Sequence, residues 1–180
     1  MAVHEDVYKR QFHELGLALR RAGHAVDLIY LPVDPAIKPC DALIGYYADR
    51  GIRVVDPEIE RYVWPPFSYE RRSYALFRHL IGLEERYDFI HFHDYKGLGY
   101  CSLAAKTQQL GFADTVLVVQ VHGPTRWTLE ANDHPFTHED QLKVDFMELS
   151  LIHISCMLSQ PPAAPAKAST VARRILLCAS

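Results

Sequence analysis

The sequence predicts an α/β fold, a Rossmann-like parallel sheet with helices on both faces. Residues 88–92 and 116–121 are apolar segments rich in β-branched and aromatic residues, and a histidine follows each of them. A segment with helical spacing lies between them, so the three together predict a βαβ unit. Open parallel sheets bind ligands at the carboxyl ends of their strands, which makes the residues after these two strands the candidate site.

The composition fits one domain and narrows the classes of function. The chain has 180 residues, 49% of them hydrophobic, and a formal net charge of -3. So small a charge predicts no partner among nucleic acids or anionic membranes, and no apolar run reaches the roughly 18 residues of a membrane span. The cysteines are widely spaced, which predicts reduced thiols, a cytoplasmic protein and no structural zinc. They are Cys40, Cys101, Cys156 and Cys178.

The segment before the βαβ unit predicts a helix followed by a buried strand. Residues 12–22 carry apolar side chains at helical spacing, and Gly23 stands where a helix ends. Residues 25–31 then form an apolar run that Pro32 stops. This order is the second half of another βαβ unit, so we expect the first strand of that unit to be missing.

The remaining elements follow from turn and capping signals. Residues 32–50 contain several prolines and predict a loop with a short helix, and residues 52–55 predict a strand. The aromatic and proline-rich residues 58–67 predict an ordered loop. Ser68 can cap a helix that ends before the strand at 88, and Thr137 begins a capping-box pattern ahead of another helix.

Both ends of the chain differ from this pattern. Residues 6–11 and 149–155 resemble a translated sequencing adapter, and residues 156–180 lose periodicity and become rich in proline, alanine and serine. We therefore expect an incomplete native domain at residues 12–148, with residues 1–11 and 149–180 as non-native or disordered tails. The alternative interpretation is an ordinary helix at each end.

Three histidines near the strand ends allow two interpretations. His91 and His93 lie on one face of a strand, and with His122 they could ligate a metal in a metal-dependent hydrolase. Alternatively, His91 is buried and hydrogen-bonded, while His93 and Asp94 lie at the mouth of the cleft. A further alternative is a Rossmann-like binding module without catalysis.

Glycines and an aromatic residue add candidate contacts beside these histidines. Gly97 and Gly99 precede a helix and predict either an anion site or a tight turn between strand and helix. Gly123 after the second strand allows a ligand to approach the main chain closely. Trp127 and Glu130 offer an aromatic platform and a carboxylate, which suit sugar hydroxyls, although Trp127 could equally pack in the core.

Three motifs in order resemble the N-terminal domain of family 4 and family 5 glycosyltransferases, the GT-B group that includes glycogen and starch synthases. One is an apolar strand into His-Asp and a glycine-containing helix entry at residues 89–100, and another is the strand into His-Gly-Pro-Thr at residues 118–127. Residues 21–27, Arg-Ala-Gly-His-Ala-Val-Asp, are similar to the family's (R/K)xGHxV segment. The likeness covers residues 12–148.

The resemblance implies a retaining hexosyltransferase that uses a nucleotide-sugar and a sugar or glucan acceptor, with neither a metal nor another cofactor. It implies that nucleotide binding belongs to a second domain, so we expect this fragment alone to be inactive. His122 corresponds to the family's strand-end histidine and would be the catalytic residue, hydrogen-bonded to the transferred sugar. The other implied or candidate substrate contacts are Asp94, Lys96, Gly123, Trp127 and Glu130. Tyr95 and Lys96 depart from the synthases, which have a histidine after their Asp-Trp pair.

Overall fold

The computed structural model describes residues 3–31, 39–55, 57, 68–83, 86–158 and 172–179. They form one five-stranded sheet surrounded by helices. The strands are β1 (Ala25–Tyr30), β2 (Ile52–Val55), β3 (Phe89–His93), β4 (Val116–Gln120) and β5 (Arg174–Ala179). The helices are α1 (Val3–Arg21), α2 (Asp41–Ala48), α3 (Tyr69–Ile81), α4 (Tyr100–Thr107), α5 (Thr125–Ala131) and α6 (Glu139–Leu158), with a 3₁₀ turn at Tyr95–Gly97.

All neighbouring strands of the sheet are parallel, in the order β2-β1-β5-β3-β4. In the β3–β4 pair, Phe89 lies opposite Val116 and His93 lies opposite Gln120. The predicted parallel α/β sheet is therefore confirmed, and the carboxyl ends of β3 and β4 open on the same edge.

The position at the centre of the sheet differs from the sequence expectation. β5, from the C-terminal region that was expected to be a tail, lies between β1 and β3. Residues 175–178 are all buried there. Residues 149–158 likewise complete α6, so the expectation of disordered tails does not hold for these two stretches. That they are non-native stays a prediction.

Alternation along β5 explains how the sheet carries helices on both faces. Ile175 and Leu177 join a core cluster with Phe12 of α1, on one side of the sheet. Leu176 and Cys178 point the other way, into a larger cluster with side chains of α3, α4 and α6. Because successive strand residues face opposite sides, a strand buried on both faces reads as a continuous apolar run.

Local signals account for the ends of several helices. Ser68 caps α3 by accepting a hydrogen bond from the backbone N–H of Arg71 at 3.2 Å, as predicted. Ahead of α6, the backbone N–H of Thr137 donates to Oε1 of Gln141, one residue beyond the predicted capping-box partner. The loop predicted at residues 58–67 lies outside the described residues. Within the described ranges, no helix is both long and apolar enough to cross a membrane.

Candidate functional site

The ends of β3 and β4 bring two histidines into contact. Nδ1 of His93 lies 3.2 Å from Nδ1 of His122, and the ring centroids are 4.5 Å apart. The ring of Phe12 in α1 packs against the two β3 histidines, with its centroid 3.7 Å from that of His93 and 5.3 Å from that of His91. The side chain of Phe12, in the middle of α1, thus closes one side of the strand-end site.

Burial keeps the two β3 histidines neutral at physiological pH. His91 is 8% exposed and His93 is 5% exposed. Loss of solvation, followed by the nearby charge of His122, lowers the pKa of His91 to about 4 and that of His93 to about 3. The prediction that His91 is buried is confirmed, but its Nδ1 has no hydrogen-bond partner within the described part of the chain.

The hydrogen bonds around His122 define which ring nitrogen carries the proton. Oε1 of Gln11 can only accept, so Nε2 of His122 is the donor of that bond. Nδ1 of His122 then faces Nδ1 of His93 at hydrogen-bond distance. His122 therefore directs its Nε2–H toward Gln11, from a side chain that is only 7% exposed.

Asp94 is buried beneath the site, which corrects its predicted place at the cleft mouth. Only 1% of the residue is exposed. Its Oδ2 accepts hydrogen bonds from the backbone N–H groups of His122, at 3.0 Å, and of Gly123, at 3.1 Å. Its Oδ1 lies 3.8 Å from Nδ1 of His122 and has no hydrogen-bond partner among the residues described. Asp94 therefore holds the loop after β4 in place. His93 is also buried, so it does not lie at the mouth either.

Lys96 follows in a strained backbone conformation that the structure stabilises. Its φ of 56° lies in the left-handed region, and its backbone N–H donates to Oε1 of Glu148 at 2.8 Å. Its ammonium group lies 5.1 Å from the ring centroid of Tyr69 and 5.2 Å from that of Tyr95. Burial lowers the pKa of Lys96.

The glycines near β3 serve close packing. A Cβ at Gly97 would overlap the side chain of Met147, and one at Gly99 would lie 2.7 Å from Cγ of Phe92. The N–H of Gly97 already donates to the backbone oxygen of Asp94. These contacts favour the tight turn over the anion site.

The loop after β4 is open, in contrast to the turn after β3. Gly123 has a φ of 136°, and a Cβ there would have nothing within 4 Å. Trp127 is 58% exposed, so it is not a core residue. Glu130 pairs with Arg126 on the exposed surface of α5, at 2.8 Å. Gly123 and Trp127 are therefore accessible to a ligand.

Sequence reasoning missed one buried acid, Glu148 of α6. It is 1% exposed and accepts hydrogen bonds from Lys96 and from both the N–H and the hydroxyl of Thr125. The signal was present, because Val144, Met147 and Leu151 mark the buried face of α6 and residue 148 shares that face. A carboxylate on an apolar helix face needs polar partners, and the sequence offers no local ones.

The arrangement disfavours the metal-dependent hydrolase. The described residues contain no group of three or more histidine, cysteine or acidic side chains that could hold a metal ion. His93 and His122 direct Nδ1 atoms at each other, and Oδ2 of Asp94 is occupied by two backbone donors. The geometry instead defines an α/β domain with a polar site at the carboxyl edge of its sheet.

Comparison with known protein families assigns this domain. The family model described as Glycosyl transferase 4-like domain matches residues 8–158, and the chain belongs to that family. The matched region contains both strand-end loops and α6, whereas β5 lies outside it. Searches of curated proteins and of solved structures gave no match. The chain is therefore a glycosyltransferase domain with a Rossmann-like sheet.

Proposed function

We propose that this domain is the acceptor-side half of a retaining hexosyltransferase, which moves a hexosyl group from a nucleotide-sugar to a hydroxyl of a sugar or glucan acceptor. The observation that carries the proposal is the Nε2–H of His122, covered by the exposed side chain of Gln11, beside the open main chain of Gly123. A neutral imidazole can orient a sugar hydroxyl without introducing charge, and the adjacent glycine lets the sugar approach the backbone.

Gln11 indicates where such a hydroxyl would bind. Its Oε1 accepts the hydrogen bond from Nε2 of His122, and the residue itself is exposed. A sugar hydroxyl oxygen has the same accepting capacity and would take this position when Gln11 swings away. The contact supports a polar site that Gln11 covers in this structure and whose chemistry suits a carbohydrate hydroxyl.

The other site residues take different roles in this proposal. Lys96 and Trp127 contact the acceptor, the first through its ammonium group and the second through its exposed ring. Glu130 can accept from acceptor hydroxyls if it leaves Arg126. Asp94 acts through the backbone of residues 122 and 123. The nucleotide-sugar is a co-substrate, and protein cations and helix N-termini neutralise its diphosphate without a metal.

A cytoplasmic location belongs to the same proposal. No disulfide joins the four cysteines, all of which fall within the described ranges, and Cys40 and Cys156 are exposed. Exposed cysteines outside disulfides suit a reducing compartment.

Titration of the chain with sugars tests the site. Ring resonances of His122 would be followed by NMR while maltotriose or a series of nucleoside diphosphate sugars is added. We expect at least one probe to shift them, and Gln11→Ala to bind that probe no more weakly, because it removes a competing acceptor. His122→Ala, followed through the indole resonance of the exposed Trp127, should lose the binding. The proposal fails if every probe leaves the His122 resonances unchanged.

A further inference from the structure

Glu148 of α6 forms hydrogen bonds with both strand-end segments of the candidate site. Its Oε1 accepts the backbone N–H of Lys96 at 2.8 Å and the hydroxyl of Thr125 at 2.9 Å, while its Oε2 accepts the backbone N–H of Thr125. Lys96 belongs to the turn after β3, and Thr125 begins α5 after the loop that carries His122. One buried carboxylate thus bonds to both strand-end segments.

Each of these donors needs a partner that its own segment does not supply. The first N–H groups of a helix have no acceptor within the helix, and Thr125 is the first residue of α5. Lys96 has the left-handed backbone conformation, which costs free energy unless surrounding contacts stabilise it. Glu148 meets both needs, and the bonds from backbone donors offset the desolvation of its charge.

The position of Glu148 on α6 distinguishes it from a residue that only fills space. Its neighbour Met147 packs against Gly97 and supports the same turn through apolar contact alone. Glu148 adds directional bonds to two segments that are 29 residues apart in the chain at Lys96 and Thr125. Loss of those bonds would allow the two loops to shift independently while the core around Met147 stays packed.

We propose that Glu148 is a positioning residue for the sugar site, holding the turn with Lys96 and the loop with His122 and Gly123 at a fixed relative placement on α6. Asp94 secures the β4 loop to the end of β3, and Glu148 secures both to the helix below. The identity of the ligand rests on the proposed function, whereas the positioning role rests on the hydrogen bonds of Glu148 to Lys96 and Thr125.

The test compares Glu148→Gln and Glu148→Ala in the 180-residue chain, with Glu139→Gln as the matched control. Glu139 is exposed and lies on the same helix. Hydrogen exchange of the Lys96 and Thr125 amides would be measured by NMR against amides of the β3–β4 ladder. A nuclear Overhauser contact between the His93 and His122 rings reports the relative placement of the two loops.

We expect Glu148→Ala to speed exchange at both amides by roughly tenfold or more, with the ladder unchanged, and to abolish the contact between the rings. Glutamine retains one accepting oxygen, so Glu148→Gln should protect one amide and expose the other. If the alanine variant does not fold, the glutamine variant decides. The control should match the parent chain.

Two results would overturn the proposal. One is unchanged exchange at both Lys96 and Thr125 in the folded variants. The other is a uniform acceleration over the whole sheet with the ring contact retained, which would make Glu148 a stability residue only. Failure of sugars to bind the parent chain would instead contradict the proposed function. The amide exchange and the contact between the histidine rings would still test the positioning role of Glu148.

Discussion

His91 and His93 should make the stability of this domain depend steeply on pH between 7 and 5. Both are buried, and their pKa values fall from 6.5 to about 4 and about 3 in the folded chain. Between 6.5 and 4 the unfolded chain binds protons that the folded chain excludes, so unfolding becomes more favourable as the pH falls. This contribution to stability is fully present above pH 6.5 and is lost progressively below it.

The size of the effect follows from the unfolded-state pKa. At pH 5 the folded-state pKa values of both histidines are still below the pH. Each imidazole therefore lowers the free energy of unfolding by about 1.4 kcal/mol for each pH unit below 6.5. That amounts to about 2 kcal/mol per histidine and about 4 kcal/mol for the pair between pH 7 and pH 5. Burial raises the pKa of Glu148, which acts in the opposite direction, but this contribution is common to chains that differ only at position 91.

Substitution His91→Leu isolates one half of this effect. Nδ1 of His91 has no hydrogen-bond partner within the described residues, so leucine removes the titrating group without leaving a polar partner exposed. The decrease in the free energy of unfolding between pH 7 and pH 5 should be about 2 kcal/mol in this variant, compared with about 4 kcal/mol in the parent chain. Urea unfolding at pH 7, 6 and 5 measures it, with the exposed His134→Asn as control. An equal loss in the parent chain and in His91→Leu would refute the reasoning.

Three further predictions concern the site and the sheet. In a full-length enzyme, His122→Ala should lower turnover by roughly ten to a thousandfold with folding retained, since it removes one well-placed hydrogen bond; steady-state kinetics and melting temperature check this. The 180-residue chain should release no nucleoside diphosphate from sugar donors, because the proposed mechanism needs a second domain to stabilise the departing diphosphate, and clear turnover would contradict it. Leu176→Ala in the central strand should cost about 2–5 kcal/mol in urea unfolding, whereas the half-exposed Val116→Ala should cost much less; equal costs would argue against a central β5.

Local patterns in the sequence were sufficient for most of the sheet. Alternating and continuous apolar runs predicted β1 to β4 within one residue at either end, because a parallel sheet covered by helices favours apolar residues along its strands. The meeting of the β3 and β4 ends followed from the parallel connection, which places carboxyl ends on one edge. His93 and His122 could therefore be paired before any contact was known.

The tertiary structure alone decided which polar residues face the ligand side and which hold the backbone. Asp94 and Lys96 follow the same strand, yet the first is buried under the loop of β4 and the second extends over two tyrosine rings. Glu148 and β5 depend on partners that are distant in the chain. The hydrogen-bond and strand partners of a residue depend on tertiary contacts between distant segments of the chain. Sequence periodicity predicts whether a residue is buried but does not identify the residues that it contacts.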